Sequence, residues 1–288
     1  TLYHSKISKK IISENKLNIQ LIGFHGQTII HKPKDGYSIQ MGDANLLSQE
    51  LKEKVIYNFR ANDIKNNGEG APLTPVYHKL LINKFKINNP TLILNIGGIS
   101  NYTYCFKNIL AAKDIGPGNV LIDEYLKKTK GINYDRNGNI ASSGNINKDI
   151  INQFYEHEFY NVQQKHSFDR NEFDFSFVKG LEFEDAVATL TYFTALIISQ
   201  NIKKNFDNEI EIILCGGGRR NLALVNHIKK LLKYKIKLID EFSVDGDFIE
   251  SQAFAYLSIR SYLNKIISYP TTTNVLNPVT GGEIKINY

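Results

Sequence analysis

Cysteine is scarce in this 288-residue chain, with only Cys105 and Cys215 present. Neither has a partner at metal or redox spacing, so a zinc site and a disulfide framework are both excluded as the source of stability. Cys215 ends an apolar strand pattern and reads as a small buried hydrophobe. No apolar run approaches membrane-span length and no secretory leader is legible, so the expected location is cytoplasmic, with no membrane partner. A stripe of one charge is also missing. The net charge of +6 comes from 35 basic and 29 acidic residues, and lysine pairs such as Lys9-Lys10, Lys127-Lys128, Lys203-Lys204 and Lys229-Lys230 read as solvated helix faces. No nucleic-acid partner is expected. No repeat of fixed period occurs.

What is present is an ordinary globular composition, 42% hydrophobic and 22% charged, long enough for one large domain or two ordinary ones. Apolar spacing predicts helices over 2–17, 44–52, 74–85, 120–130, 182–205, 221–232 and 247–267. It predicts strands over 19–24, 37–41, 55–59, 210–215 and 235–239, a hairpin around Leu92 and Ile99 turned at Gly97-Gly98, and a further strand leading to Asp114. Residues 61–71 read as a long polar loop, and 154–177 as aromatic and irregular. Helices and strands interleave, which predicts an α/β protein whose ligands gather at the carboxyl ends of strands. His25, Asp43, Arg60, Asp114 and Gly216 all fall at such ends. The boundary is placed at 86–90, giving an N-terminal domain of 1–88, with 268–288 returning to it, and a C-terminal domain of 89–267.

Three glycine turns follow strand patterns: Asn95-Ile96-Gly97-Gly98-Ile99-Ser100-Asn101, Asp114-Ile115-Gly116-Pro117-Gly118-Asn119, and Cys215-Gly216-Gly217-Gly218-Arg219-Arg220-Asn221. Any one alone is ordinary turn punctuation. Three together, one with an aspartate at its strand end, point to amides that meet a phosphate, hence a nucleotide or phosphorylated sugar. His157, His166 and Asp169 are too irregularly spaced to suggest a metal site.

In order along the chain stand His25-Gly26-Gln27-Thr28, Met41-Gly42-Asp43, Phe59-Arg60-Ala61-Asn62-Asp63, Gly70-Ala71-Pro72-Leu73, the three glycine turns, Asp247-Phe248-Ile249-Glu250 with Ala253-Phe254-Ala255, and Pro278-Val279-Thr280-Gly281. This series resembles the motifs of the anhydro-N-acetylmuramic acid kinases over nearly the whole chain. The resemblance implies a two-domain actin-like, sugar-kinase ATPase fold with an interdomain cleft. It also implies the reaction of ATP, water and 1,6-anhydro-N-acetylmuramic acid to N-acetylmuramic acid 6-phosphate and ADP, in murein recycling. ATP and Mg²⁺ are the implied cofactors and a homodimer the implied assembly; no metal ligands are identified. Family members carry a strand and a Gly-Thr/Ser-Asp-Gly type loop ahead of the first residue here, and no such loop occurs in 1–20. With Thr1 in place of Met, the expectation is a first domain incomplete at its N-terminus. Two alternatives therefore stay open: an inactive truncated remnant that binds sugar or a partner, and another sugar kinase of the superfamily.

By the same resemblance Asp114 is the catalytic base. Its other reading, as the cap of helix 120–130, places it several residues early, with Asn119 the better cap. Gly97, Gly98, Gly116, Gly118 and Asn119 are expected to meet the phosphates through their amides, and Gly216, Gly217, Gly218 and Asn221 to form the adenosine turn, with Arg219 unusual after the glycines. Plain strand-to-helix punctuation stays open for that last turn. Arg60 suits the lactyl carboxylate, against a surface Arg60–Asp63 pair. Asp63, His25 and Gln27 join it as sugar-site residues. Glu250, on one helix face with Asp247, contacts the sugar by resemblance; otherwise both read as solvated helix acids.

Overall fold

The computed structural model describes residues 1–155, 173–206 and 209–288. His157, His166 and Asp169 lie outside the described residues. The chain divides into two compact units, Thr1–Leu81 with Glu250–Tyr288, and Ile82–Ile249. Both combine sheet and helix, in agreement with the α/β expectation. Among the described residues no helix is long and apolar enough to cross a membrane.

In the first unit, β1 (Ile22–Gly23) runs parallel to β4 (Val55–Tyr57), and β10 (Glu283–Lys285) pairs antiparallel on the other side of β4. The strand expected over 19–24 is thus short, because its ladder with β4 spans only Ile22 and Gly23. The His25–Thr28 motif leads into a hairpin of β2 (Gln27–Lys32) and β3 (Tyr37–Met41) that sequence spacing left half unseen. Helix α1 is Leu2–Glu14 and α2 is Ala44–Leu51. Asp43 caps α2, its Oδ1 accepting from the amides of Asn45 and Leu46 at 2.9 and 3.0 Å. Phe24, Ala44, Leu47 and Val55 form the core beneath.

Residues 61–71, read as a loop, begin with a helical turn, α3 (Ala61–Lys65). Helix α4 is Pro75–Lys84. The late helix expected over 247–267 is observed at 249–262; most of it lies in the first unit, where it packs over β1. Gly23 permits that approach, since a Cβ there would overlap Ser258 and stand 2.9 Å from the Phe254 carbonyl.

The second unit holds a five-stranded sheet in the order β7-β6-β5-β8-β9, built from β5 (Thr91–Ile96), β6 (Ile99–Phe106), β7 (Ile109–Pro117), β8 (Glu211–Cys215) and β9 (Lys235–Leu238). The first three form an antiparallel meander, while β8 and β9 run parallel to β5. Continuous burial of β8, and near-continuous burial of β5, is the mark of strands covered on both faces. Leu92, Leu94, Ile96, Ile212 and Leu214 pack with Ile198, Ile202, Leu224 and Ile228, the last four supplied by the helices at Phe183–Asn205 and Leu222–Leu231. A further cluster sets Leu121, Ile122 and Leu126 of the Val120–Lys130 helix against Leu190, Phe193 and Ile197. Leu94 is fully buried in the central strand. Leu94→Ala is expected to destabilise by about 3 kcal/mol through lost burial and the cavity left; chemical denaturation at unchanged m-value checks it.

Candidate functional site

Asp114 sits one residue before a β-bulge. The register runs Asn101 opposite Asp114, then Ser100 opposite Gly116, so Ile115 is the extra residue. Ile115 is buried in the cluster of Leu94 and Tyr102. Because successive strand residues face opposite ways, Asp114 is turned to the other face of the sheet. On that face the ladder aligns Cys215, Asn95, Asn101 and Asp114 across four strands. Asn95 and Asn101 were overlooked as site residues, although both bracket the Gly97-Gly98 turn in sequence. Pairing across a tight hairpin is what places them together, beside the carboxylate. Asp114, Asn95 and Asn101 are all partly buried.

Three of the strands that run in one direction, β5, β7 and β8, end together, and the three glycine turns meet there. Gly98 accepts from the amides of Gly118 at 2.8 Å and Val120 at 3.1 Å, and Gly97 accepts from that of Asn119 at 2.8 Å. A Cβ at Gly118 would overlap the Gly97 carbonyl, so only glycine allows this contact. The amides of Gly118 and Asn119, expected to face a phosphate, are taken up in tying the two loops. Nor does the Asn119 side chain cap its helix; its Nδ2 donates to the Ile96 carbonyl at 3.5 Å. Gly216, with φ +79, closes against the same corner, where a Cβ would overlap the Asn95 side chain and stand 2.7 Å from the Ile96 carbonyl. By contrast a Cβ at Gly217 would meet only Asn119, at 3.9 Å, and one at Gly97 only the Ile99 carbonyl and Asn95, at 3.5 and 3.9 Å. Those two positions are uncrowded, since an added Cβ would make only ordinary van der Waals contacts. Asn221 caps the Leu222–Leu231 helix through its Oδ1, which accepts from the Leu224 amide at 3.0 Å. Arg219 is buried against Asp240 and Asp247, and it also donates to the Gly216 carbonyl at 3.1 Å. Asp247 thus lies ahead of the helix that starts at Ile249 and does not share a helical face with Glu250.

The remaining site candidates belong to the first unit. Arg60 donates from Nε to His25 Nε2 at 3.1 Å and from one terminal nitrogen to the Gly70 carbonyl at 2.6 Å. Since Nε2 accepts, His25 carries its proton on Nδ1, which donates to the Gly26 carbonyl at 2.9 Å. Burial, with the Arg60 charge second, pushes the imidazole down to about 4; His25 is neutral at physiological pH and lies tilted against Phe254, 4.2 Å between centroids. Burial also lowers Arg60 to about 10, against the pull of Glu250 and then Asp63, so it stays charged. Asp63 is not the partner of a surface pair. It is 1% exposed, and its oxygens accept from the Gly70 amide at 2.6 Å and the Thr273 hydroxyl at 2.5 Å. It therefore holds the carbonyl-bearing loop that orients Arg60, a role invisible before Gly70 and Thr273 came together. Glu250 is exposed in the first turn of its helix, and Gln27 is exposed at the start of β2. A cavity of about 250 Å³ opens beside His25, lined also by Gly26, Ser38, Gln40, Tyr57 and Asn58. Among the described residues no cluster of three or more metal-ligating side chains occurs.

The buried neutral histidines make a stability prediction. His78, 1% exposed, is also pushed by burial to about 4. Below pH 6.5 the unfolded chain takes up protons that the native chain refuses until about pH 4, so native stability falls as pH is lowered through that window and is flat above it. Each residue is expected to account for up to about 2 kcal/mol at pH 5. Urea midpoints at pH 7 and pH 5 check this, with His25→Asn and His78→Asn each reducing the slope; an unchanged slope in both refutes the assignment.

A family model described as anhydro-N-acetylmuramic acid kinase matches residues 2–286. The anhydro-N-acetylmuramic acid kinase of Pelagibacter ubique (strain HTCC1062) is 51% identical, covering 100% of this chain and 80% of that protein. That of Zymomonas mobilis subsp. mobilis is 39% identical, over 99% of this chain and 79% of its own length. Among solved structures, component A of the Acidaminococcus fermentans (R)-2-hydroxyglutaryl-CoA dehydratase aligns at a TM-score of 0.45 and 8% identity, over 75% of this chain and 82% of that one. With a full-length family match and relatives well above 30% identity along the same span, the chain belongs to the anhydro-N-acetylmuramic acid kinase family.

Proposed function

We propose that the chain carries the activity after which its family is named: opening of the 1,6-anhydro ring of 1,6-anhydro-N-acetylmuramic acid by water, with transfer of the ATP γ-phosphoryl group to O6, in recycling of murein. The observation that supports this best is the row Asn95, Asn101, Asp114 on one sheet face, ending where the three glycine turns meet. A carboxylate at a strand end beside uncrowded glycine backbone suits a base that works next to phosphate.

In this reading Asp114 takes a proton from water as the water oxygen bonds to C1. The C1–O6 bond breaks, and O6 accepts the phosphoryl group as ADP leaves. Asn95 and Asn101 hold the water or the base in hydrogen-bonding geometry. The uncrowded backbone at Gly97 and Gly217 admits nucleotide phosphates and adenosine, while Gly98, Gly116, Gly118, Asn119, Gly216, Gly218 and Asn221 set the shape of the turns. Arg60 takes the lactyl carboxylate, positioned by His25, Gly70 and Asp63, with Glu250 and Gln27 facing the sugar. Mg²⁺ would be held mainly by the nucleotide phosphates, which leaves Asp114 free to act as the base. When bound, Mg²⁺ neutralises phosphate charge. A homodimer and a cytoplasmic setting belong to the reading through family membership.

The test is ADP release with Mg-ATP and the anhydro sugar, with N-acetylglucosamine as control, run in ¹⁸O-water. Turnover specific to the anhydro sugar with ¹⁸O at C1 supports the reading. Phosphorylation of a plain hexose hydroxyl without ¹⁸O marks another sugar kinase, and absence of turnover with retained sugar binding marks a binding remnant.

A further inference from the structure

Arg219, the residue that breaks the expected small-residue pattern after the glycines, has its guanidinium fully engaged. Its side chain is 3% exposed. Nε and one terminal nitrogen grip Asp240 side by side, at 2.7 and 2.9 Å. The other terminal nitrogen donates both to Asp247, at 2.8 Å, and to the backbone carbonyl of Gly216, at 3.1 Å. Asp245 stands 3.9 Å away, and Arg220 makes a second contact to Asp247. The loop is shaped around this group, since a Cβ at Gly246 would overlap the guanidinium. One planar fork thus joins the first residue of the glycine turn to the segment 240–247.

We infer that Arg219 is a positioning residue for nucleotide binding: it fixes the Gly216–Gly218 backbone against Asp240 and Asp247 without touching the nucleotide itself. The inference rests on the reading of that turn as the adenosine turn. One feature separates this role from general stabilisation: the guanidinium reaches the turn directly, at the carbonyl whose orientation sets the peptide plane between Gly216 and Gly217. The hydrogen bond from Arg219, and then its charge, holds Asp240 below the ordinary carboxylate range, so the clamp stays closed at neutral pH. Lysine cannot replace it, because a single ammonium cannot grip one carboxylate side by side and reach a second carboxylate and a carbonyl together.

The experiment compares the full chain with Arg219→Lys and Asp240→Asn, reading MgADP affinity by calorimetry, KM for ATP, KM for the anhydro sugar, and thermal midpoint. Arg219→Lys is expected to weaken MgADP binding and raise the KM for ATP by about tenfold, with the sugar KM unchanged, as expected for a displaced turn. Asp240→Asn, which keeps the shape and loses one charge, shifts the same two quantities less, and carries the test if the lysine variant fails to fold. Folded variants with wild-type MgADP affinity overturn the role of Arg219 alone. Equal losses in both KM values alongside a lowered midpoint also overturn it, in favour of a merely structural part. Failure of the wild-type chain to bind MgADP overturns the functional reading and this role with it.

Discussion

Asp114→Asn is expected to lower kcat by about 10³-fold while leaving the thermal midpoint and both KM values close to wild type. A positioned general base contributes roughly 10²–10⁴, and the amide keeps the volume and hydrogen-bonding reach of the acid while losing its basicity. The bulge supports the fold side of the expectation. Asp114 is only partly buried and faces away from the cluster of Leu94, Tyr102 and Ile115, so the change leaves no cavity in that core. Equal falls in kcat and kcat/KM would mean an interaction made only in the transition state. Steady-state ADP release with circular dichroism as the fold control checks it. Turnover within a few-fold of wild type would remove Asp114 from the chemistry and leave Asn95 and Asn101 without a base to serve.

Arg60→Ala is expected to raise the KM for the anhydro sugar by about 10²-fold, the worth of a charged hydrogen bond of roughly 2–3 kcal/mol, while the KM for ATP stays put. Arg60 already donates to His25 and to the Gly70 carbonyl, which fixes the fork for an anion. Removing it leaves those two acceptors unpaired, so a stability loss of about 1–3 kcal/mol accompanies the kinetic effect. Arg60→Lys is expected to rescue little, since an ammonium lacks the planar fork. The decisive comparison uses 1,6-anhydro-N-acetylglucosamine, which has no lactyl group. If Arg60 binds the carboxylate, the wild type loses its advantage over Arg60→Ala on that sugar. An equal defect on both sugars would show that Arg60 serves the shape of the loop instead.

Much of this was legible in the order of residues, because strand-to-turn transitions are local. The helix over 120–130 and the strand over 37–41 follow from apolar spacing alone, and the Gly97-Gly98 hairpin from two glycines between β-rich runs. The family follows from motif order. Where spacing misled, a non-local contact was responsible. The polar run after Arg60 folds into a helical turn because Asp63 collects the Gly70 amide and the Thr273 hydroxyl, the latter from the far end of the chain. The late helix begins at Ile249 rather than Asp247, and Asp247 is held outside it by Arg219 and Arg220. Asn119 stands at the N-cap position as expected, but its side chain reaches the Ile96 carbonyl instead of capping the helix.

The sequence by itself determined the α/β class, the family and the residue types available for the chemistry, since periodicity, glycine placement and motif order all act within a few residues of chain. Only the tertiary structure decided which of those residues share a face and which are already bound. The bulge at Ile115 set Asp114 beside Asn101 and Asn95, the loop contacts took the amides of Gly118 and Asn119, and the surroundings of Asp63 and Arg219 made each of them a clamp on its loop. A side chain's role depends on what occupies its donors and acceptors and on how much water remains around it. Those partners come from segments far apart in sequence, and folding alone brings them within hydrogen-bonding distance.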